Sequence, residues 1–509
     1  MTRFCLGHPE VNPLNGKAKQ LPIVNPIDRH GRVFFFSWLS FMLSFAAWYA
    51  FPPLLARTIR VDLKMTPVQV LNSNIIALIA GFMMRVCVGP LCDAFGPRRV
   101  MVGILIGAAI PCGLSGAVTN VNGLYAIRFF VGLAGATFVP AMAWCSSWYD
   151  REVVGTANGF AAGWGNAGAG VTYFVMPAVF DSLVRDRGHT PHVAWRIAFI
   201  VPTILLLCAA AGAYFLCDDI PLGAWKDRHN ATAQAVAETV GDTKISATSS
   251  SDSVGKPSGE KVAGGNNHII EDTDYEANRG IAGAPRMEVV QKPSLRTAVP
   301  LIFTWQTFML ALPYTCSFGG ELAVNSILSS WYLQHFAHLG WTQTHSGQVA
   351  AIFGLLNVVT RPAGGFLADY IYAKAPQGKG VHFKKFWYMF LVFMQGVFLL
   401  WIGLTGPRLN PVGLVGGICA MAVFMDAANG AAYSLVPHVN PEINGIMSGL
   451  VGGSGNLGGV GWSIGYRFAG GYATGTWIIG VGSMAIALIC LVIPTLSKKQ
   501  KAGGGYMAQ

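Results

Sequence analysis

Long apolar runs recur along the whole chain and are separated by short polar segments. Runs of about 20 residues are long enough to cross a lipid bilayer as α-helices, and they lack the apolar–polar alternation of membrane β-strands. The pattern predicts twelve spans with the approximate limits 33–56, 68–89, 100–119, 123–146, 157–180, 195–217, 302–333, 346–367, 385–405, 411–434, 445–468 and 476–496. We therefore expect an all-α polytopic membrane protein with twelve transmembrane helices.

Polar stretches divide these spans into domains. Residues 1–31 are polar, contain several prolines and lack the apolar core of a signal peptide, which predicts an N-terminal tail. Residues 218–297 are rich in Ser, Thr, Gly and charge, and this composition favours a largely disordered linker. The two predicted bundles of six helices are residues 32–217 and 298–497, followed by a C-terminal tail at 498–509.

The distribution of charge predicts the orientation in the membrane. Charged residues make up 12% of the chain, whereas soluble proteins carry about 25%, and 52% of the residues are hydrophobic. If both termini and the linker are cytoplasmic, the remaining cytoplasmic segments hold fifteen Lys and Arg residues and the opposite segments hold seven. The positive-inside rule favours this orientation, so the net charge of +11 reflects topology.

Several functional classes find no support in the sequence. No clustered basic patch with a folded module around it appears, so we expect no nucleic-acid partner. The ten cysteines show no metal-like spacing, and neither a nucleophile–base pair nor a phosphate-binding loop is visible. We therefore expect neither an enzyme nor a protein that holds a metal or another cofactor.

Two arginines lie inside apolar spans at matching positions of the two halves. Arg85 and Arg361 each begin the pattern Arg-x3-Gly-x3-Asp, which ends at Asp93 and at Asp369. A guanidinium keeps its charge, and placing one at membrane depth costs roughly 3 kcal/mol on insertion scales. Such residues usually face a cavity, so a pair related by an internal repeat predicts a central pocket for an anion.

A second repeat supports the division into two halves. The runs GTANGFAAGWGNAGAG from Gly155 and GIMSGLVGGSGNLGGV from Gly445 share the pattern Gly-x3-Gly-x3-Gly-x-Gly-Asn-x-Gly. Small residues at this spacing are common where membrane helices pack closely. The matched asparagines are Asn166 and Asn456. Because an amide without a partner is costly in hydrocarbon, we expect both to contact a ligand.

Two parallel sets of six spans resemble the architecture of the major facilitator superfamily. The segment GPLCDAFGPRRV at 89–100 is similar to the loop motif of that superfamily, and GGFLAD at 364–369 is similar to a shortened second copy. Arg128 resembles the arginine of the fourth-span motif. The resemblance implies two six-helix bundles that rock around a central site, and it implies gating roles for Asp93, Arg98, Arg99, Arg128 and Asp369.

The paired glycine–asparagine runs, with one arginine in span two and one in span eight, resemble the nitrate/nitrite porter family. The long central linker is most similar to that of fungal high-affinity nitrate transporters. The resemblance implies a site for nitrate and nitrite built from the arginines, from the asparagines with their preceding glycines, and from aromatic walls. The implied residues are Arg85, Arg361, Asn166, Asn456, Gly165, Gly455, Tyr314, Phe45, Phe138 and Phe318.

The chemistry of nitrate fits such a pocket. Nitrate is flat and monovalent, and two guanidiniums can hold a flat oxyanion with parallel N–H donors. We expect both arginines to be free of a carboxylate partner, so that the pocket stays positive. Glu321 and Asp426 are the carboxylates at membrane depth. They are candidates for proton coupling, and the alternative is that they neutralise the arginines in buried ion pairs.

Energetics favour a coupled mechanism. Import of an anion into a negative-inside cell is opposed by about 2.3 kcal/mol per 100 mV, and co-transport of protons offsets this cost. The resemblance implies proton symport at the plasma membrane, and we expect the monomer to be functional. Three alternatives stay open: nitrate/nitrite exchange without protons, transport of another small anion, and a receptor that signals through the linker.

Overall fold

The computed structural model describes residues 4–227 except 14, 24 and 56, and residues 300, 303–376, 379–439 and 444–495. The secondary structure is almost entirely helical, with two short parallel strands, β1 (Phe4–Cys5) and β2 (Leu21–Pro22), in the N-terminal tail. Most of the predicted linker and the C-terminal tail lie outside the described residues.

Twelve helical rods run through the described part of the chain, six before the linker and six after it. Short breaks interrupt the fourth, fifth and sixth rods. The rods are α1 (Arg29–Trp48, followed by the short helix Phe51–Leu55), α2 (Pro67–Phe95), α3 (Pro97–Gly113), α4 (Val121–Gly132 and Phe138–Trp148, joined by the 3-10 turn Leu133–Ala136), α5 (Arg151–Asn166 and Gly168–Arg185), α6 (Pro191–Ala198 and Ile200–Leu216), α7 (Trp305–His335), α8 (Gln343–Lys374), α9 (Gly380–Thr405), α10 (Pro411–Val439), α11 (Asn444–Phe468) and α12 (Tyr472–Val492).

Ten of these rods are long and apolar enough to cross a membrane, judged by length and composition. The other two, α7 and α11, are long enough but less apolar. Nine glycines lie in α11, and α7 contains Glu321 and Asn325. Both of these polar side chains are buried inside the protein. The low hydropathy of α7 is therefore compatible with a spanning helix, because its polar groups face other helices.

Several helices extend beyond the predicted apolar limits because capping signals lie in their polar flanks. The rod α8 begins directly after Thr342, whose side chain accepts a hydrogen bond from the backbone N–H of His345. The rod α2 begins with Pro67, after a capping box formed by Thr66 and Gln69. Such caps satisfy the backbone donors of the first turn, so polar residues can belong to the helix.

The glycine runs of α5 and α11 create the same close contact in each half. A Cβ at Gly168 would lie 2.0 Å from the carbonyl oxygen of Met42 on α1, and a Cβ at Gly458 would lie 2.3 Å from that of Thr315 on α7. No larger residue fits without moving a backbone, so glycine allows these helices to touch. The repeat in the sequence is thus a repeat of packing, in which the fifth helix of each half lies against the first.

Four helices form much of the boundary between the halves: α2 packs against α11, and α8 packs against α5. Glycine again permits the approach, since a Cβ at Gly163 would lie 2.6 Å from the carbonyl oxygen of Asn357. Arg85 lies on α2 and Arg361 lies on α8. The helices that join the two halves therefore also carry the two arginines.

The first ten residues of the predicted linker pack against the first bundle. Oδ2 of Asp219 lies 3.3 Å from Nε of Arg98, and Oδ1 of Asp219 accepts a hydrogen bond from the backbone N–H of Arg98 at 3.0 Å. Trp225 packs beside Gly96. Charged and aromatic side chains therefore hold this segment near the junction of α2 and α3.

Candidate anion-binding site

Arg85 is 1% exposed and bridges the two halves. Its Nε donates to the carbonyl oxygen of Gly135 at 2.9 Å, and its Nη1 donates to that of Gly452 at 2.9 Å. Gly135 belongs to the first half and Gly452 to the second. Within the described residues, Nη2 is buried without a hydrogen-bond partner. Because a buried donor without a partner is unfavourable, this nitrogen is suited to meet an acceptor such as an anion.

Arg361 is equally buried but has different partners. Its Nη2 donates to the hydroxyl oxygen of Tyr314 at 3.0 Å, and its Nη1 donates to Oδ1 of Asn357 at 3.5 Å. Nη1 also lies 3.7 Å from Oε2 of Glu321. The expectation that both arginines lack a carboxylate partner is therefore wrong for Arg361, because the packing of α7 against α8 brings Glu321 within ion-pair distance. No carboxylate of the described residues lies so close to Arg85.

One phenyl ring brings the two arginines together. The ring centroid of Phe318 lies 4.9 Å from Cζ of Arg85 and 5.4 Å from Cζ of Arg361. The ring of Phe138 lies 5.4 Å from Cζ of Arg85. The faces of aromatic rings attract cations, so Phe318 stabilises both guanidiniums and Phe138 stabilises that of Arg85. Arg85, Arg361, Phe138 and Phe318 are called the arginine cluster below.

Two tyrosines border the arginine cluster. Tyr314 lies one helical turn before Phe318, and their rings stack with centroids 5.4 Å apart and an angle of 17° between planes. Tyr433 on α10 contacts the rings of both Tyr314, at 5.5 Å, and Phe138, at 5.1 Å. The sequence reasoning missed Tyr433. Its spacing of seven residues from Asp426, which puts both on one face of α10, was a usable signal.

Among the ring contacts of the described residues, Phe45 is connected to the arginine cluster through another ring. It is buried on α1, where its ring lies 4.6 Å from Phe41 and 5.2 Å from Trp48. Phe41 in turn contacts Phe138 at 5.7 Å. Phe41, one helical turn before Phe45, therefore connects Phe45 to the aromatic residues of the site.

The predicted glycines of the site pack against aromatic rings. A Cβ at Gly165 would lie 1.9 Å from a ring carbon of Phe41, and a Cβ at Gly455 would lie 2.8 Å from a ring carbon of Tyr314. Both glycines therefore leave room for the side chains that line the site. Whether their backbone also approaches an anion stays a prediction.

The two matched asparagines differ. Asn456 is wholly buried, and neither polar atom of its amide has a hydrogen-bond partner in the described part of the chain. Its Nδ2 lies against Gly81, one helical turn from Arg85. Asn166 donates instead to the carbonyl oxygen of Ala162 at 2.7 Å. Asn456 therefore has both N–H donors available near Arg85, whereas one of the two N–H donors of Asn166 is already used within its own helix.

The two buried carboxyl groups lie in the second half. Glu321 accepts hydrogen bonds from Nδ2 of Asn357 at 2.8 Å and from Nδ2 of Asn429 at 2.7 Å. Asp426 is wholly buried, and its Oδ2 lies 3.0 Å from the hydroxyl oxygen of Thr360. Both titratable groups that the sequence singled out thus lie on the same side of the arginine cluster.

Two of the candidate gating residues, Asp369 and Arg98, each form an ion pair within their own half of the chain. Asp369 lies 2.7 Å from Nζ of Lys384, and both belong to the second half. Arg98 has its ion pair in the first half, as described above. Arg99 is exposed, and the side chain of Asp93 lies outside the described residues. Their roles in gating stay predictions.

Arg128 lies at the end of the molecule where α1 ends and α4 begins. It is 2% exposed and donates to Oδ1 of Asn74, which itself donates to the carbonyl oxygen of Ser326 at 3.4 Å. Nearby, the hydroxyl of Tyr173 donates to the carbonyl oxygen of Asn325 at 2.6 Å. Both of these last bonds run from the first half to the second. The halves are therefore joined at this end, and Arg128 supports one of the contacts.

Comparison with known proteins gives a consistent picture. A family model described as the Major Facilitator Superfamily matches residues 37–463. The chain is 30% identical over 479 residues to the high affinity nitrate transporter 2.5 of Arabidopsis thaliana, covering 94% of this chain and 82% of that protein. It is 27% identical over 451 residues to the nitrate/nitrite transporter NrtP of Nostoc punctiforme, covering 85% and 86%.

A further relative carries a different name. The chain is 30% identical over 494 residues to elsinochrome transporter 1 of Elsinoe fawcettii, covering 93% of this chain and 94% of that protein. Sequence identity over most of the chain therefore shows that the protein is a transporter and not an enzyme. Relatives of similar identity are named for different substrates, so overall identity does not choose between those substrates. The chain belongs to the major facilitator superfamily and, within it, to the nitrate/nitrite porter family.

Proposed function

We propose that this protein imports nitrate, and also nitrite, across the plasma membrane by proton-coupled symport with alternating access. The observation that carries the proposal is the arginine cluster. Arg85 of the first half and Arg361 of the second half are both 1% exposed, and both guanidiniums lie against the ring of Phe318. Two buried cations held together in this way favour an anionic substrate between them.

The charge and the donors of the cluster favour a small monovalent oxyanion. If both arginines and Glu321 are ionised, the arginine cluster together with Glu321 carries one excess positive charge, which one nitrate or nitrite balances. Nη2 of Arg85 and the amide of Asn456 are buried donors without partners among the described residues. Each can donate to an oxygen of the anion. A dianion would require further cationic donors near the arginine cluster to balance its second charge.

The relatives support the same substrate without deciding it. Two of the three compared proteins are named as transporters of nitrate or of nitrate and nitrite, and one is named as an elsinochrome transporter. The side chains of the arginine cluster are at most 2% exposed. A small ion needs less rearrangement of such an enclosed site than a large substrate does, so the enclosure favours nitrate and nitrite.

The division of the arginine cluster between the two halves supports the proposal of alternating access. Arg85 donates to Gly452 across the boundary, so rocking of one half against the other would break this bond and part the two guanidiniums. An anion between them would reduce their repulsion and favour closure, while an empty site would resist it. With both termini and the linker cytoplasmic, as the Lys and Arg distribution favours, the hydrogen bonds Asn74–Ser326 and Tyr173–Asn325 close the external side.

Proton coupling supplies the driving force in this proposal. Entry of nitrate alone would work against a negative-inside potential, by about 2.3 kcal/mol per 100 mV. Glu321 and Asp426 are the candidate proton carriers, since both are buried beside Arg361. One chain contains the whole cluster, so we expect the monomer to transport.

The test is uptake of labelled nitrate and nitrite by purified protein in liposomes, with the pH gradient and the voltage clamped separately. We expect saturable uptake that an inward proton gradient accelerates and that acidifies the lumen. The variant Arg85→Gln, with the cluster charge reduced, should abolish it. Uptake only in exchange for internal nitrite, with no acidification, would establish the antiport alternative. Failure of nitrate to compete with another transported small anion would overturn the substrate assignment.

A further inference from the structure

A close crossing of two helices fixes the surroundings of Asp426. A Cβ at Gly430 on α10 would lie 2.0 Å from the carbonyl oxygen of Arg361 on α8, so the helices approach backbone to backbone. This approach places Oγ1 of Thr360 3.0 Å from Oδ2 of Asp426. The carboxyl group is wholly buried at this point.

The contact between Thr360 and Asp426 bears on whether the carboxyl group of Asp426 carries a proton. The same Oγ1 lies 2.7 Å from the carbonyl oxygen of Leu356, one turn earlier on α8. A hydroxyl has one proton to donate, and a carbonyl oxygen can only accept. When Thr360 donates along the shorter contact to Leu356, the contact with Asp426 is a hydrogen bond only if the carboxyl group donates its own proton. The arrangement therefore accommodates a neutral Asp426 that donates to Thr360, and the hydroxyl of Thr360 can instead donate to Oδ2 when Asp426 is ionised.

The second oxygen of Asp426 favours the neutral form of the carboxyl group. Oδ1 is buried and has no hydrogen-bond partner among the described residues. Leaving an ionised carboxylate oxygen buried without a donor is costly, and the cost is smaller for a neutral carboxyl group.

Glu321 shows the opposite arrangement. Each of its oxygens accepts a hydrogen bond from an asparagine amide, at 2.8 Å from Asn357 and at 2.7 Å from Asn429. Arg361 lies 3.7 Å away. Three groups that act as donors or cations favour the ionised form, so Glu321 is suited to remain a fixed negative charge.

We infer that Asp426 is the group that binds the transported proton, that it carries this proton in the enclosed state described above, and that Glu321 is a permanent counter-charge for Arg361. The inference rests on the proposed function. Among the described residues, the charged groups that act on Asp426 are Glu321 from α7 and Arg361 from α8. A proton from water on one side joins a carboxylate oxygen of Asp426, and the O–H bond breaks when the proton leaves to the other side.

Protonation of Asp426 then controls the affinity for the anion. With Arg85, Arg361 and Glu321 ionised, the site has a net charge of +1 when Asp426 is neutral and 0 when it is ionised. The site therefore binds a monovalent anion more tightly in the protonated form, and by linkage the bound anion strengthens binding of the proton. Loss of the proton on the cytoplasmic side would weaken retention of the anion and promote its release.

The decisive variant is Asp426→Asn, which imitates the neutral form. In liposomes containing the wild-type protein, the KM for nitrate should rise at least about tenfold from about pH 5 to about pH 8, since Asp426 loses its proton. In Asp426→Asn, nitrate exchange should be measurable at every pH with a KM that changes less than about twofold. The variant should not accumulate nitrate when a proton gradient is applied.

Two further variants distinguish Asp426 from its neighbours. Glu321→Gln should transport more slowly and yet keep the rise of KM with pH, because Asp426 still titrates. Thr360→Val keeps the shape of residue 360 and removes the hydroxyl, so it should shift the midpoint of the pH profile. A flat profile in Glu321→Gln with a normal profile in Asp426→Asn would place the proton on Glu321 and overturn the inference.

Failure of the inference is separable from failure of the proposed function. If wild-type protein moves nitrate without moving protons, the symport proposal itself is wrong. If wild-type protein is proton-driven and Asp426→Asn also accumulates nitrate, only the assignment to Asp426 is wrong. Should Asp426→Asn fail to reach the membrane, Thr360→Val and Asp426→Glu decide the matter: an unchanged pH midpoint in both would overturn the inference.

Discussion

Arg85 and Arg361 begin the same sequence motif and are equally buried, yet their surroundings differ. Arg85 donates to the carbonyl oxygens of Gly135 and Gly452, with no carboxylate at ion-pair distance among the described residues. Arg361 contacts a phenol, an amide and the carboxylate of Glu321. The duplication thus preserved the two cations and changed what holds each of them.

The difference suggests a division of labour. Backbone carbonyls do not titrate, so the surroundings of Arg85 keep its field constant with pH. Near Arg361 lie Glu321, which we infer to be a fixed negative charge, and Asp426, whose protonation can change the field. In our proposal the first half attracts the anion and bridges the halves, while the second half couples the anion to the proton.

Apart from the loss expected for Arg85→Gln, the largest effect should come from Arg85→Lys, which keeps the charge at position 85. The guanidinium donates to one carbonyl in each half, and a single ammonium group cannot reproduce this bridge and also hold an anion. Losing charge-assisted hydrogen bonds of this kind costs about 3 kcal/mol, so kcat/KM for nitrate should fall roughly 100-fold. Initial rates of labelled uptake measure the effect. Near-normal uptake would show that the bridge is not required.

Next in size are Gly168→Ala and Gly458→Ala, which test where the halves are alike. Each new methyl group would collide with a backbone carbonyl of the first helix of its half, and overpacking of this kind costs roughly 1–3 kcal/mol. We expect similar falls in Tm for the two purified variants. Gly449→Ala on α11 is the matched control, because a Cβ there meets nothing within 4 Å. Clearly unequal effects would contradict equivalent packing in the two halves.

Glu321→Gln should have a smaller effect, confined to the second half. The substitution removes the counter-charge of Arg361 and places a third amide beside those of Asn357 and Asn429. We expect the maximal rate of nitrate uptake to fall about tenfold and the KM to decrease, because the more positive site holds the anion longer. Glu321→Asp, which keeps the charge, is the control. A higher KM in Glu321→Gln would mean that Glu321 does not offset the cations.

The smallest effect should come from Tyr314→Phe. The change removes one hydrogen bond to Arg361 and leaves the stacking on Phe318 in place. A bond of this type to a charged group is worth about 1.5 kcal/mol, so kcat/KM should fall roughly tenfold or less. Tyr388→Phe, whose hydroxyl lies 3.5 Å from the carbonyl oxygen of Leu310, is the control. Equal losses in both variants would argue against a specific role for the phenol near Arg361.

Local patterns predicted a large part of the fold. The apolar runs predicted the helices, whereas several helix ends differ from the predicted limits because capping residues such as Thr66 and Thr342 add polar residues to them. The glycine repeats predicted close packing, and the matched contacts of Gly168 and Gly458 are close indeed. Local patterns did not predict the contact of Asp219 with Arg98, since the two residues lie more than a hundred positions apart in the sequence.

The sequence by itself determined the helices, the twofold repeat and the placing of one arginine in each half, because periodicity and composition are properties of neighbouring residues. Only the tertiary structure decided that Glu321 pairs with Arg361 and not with Arg85, and that Phe318 lies against both guanidiniums. Those contacts depend on how distant helices pack and rotate. Side chains from different helices meet only when the whole bundle has assembled.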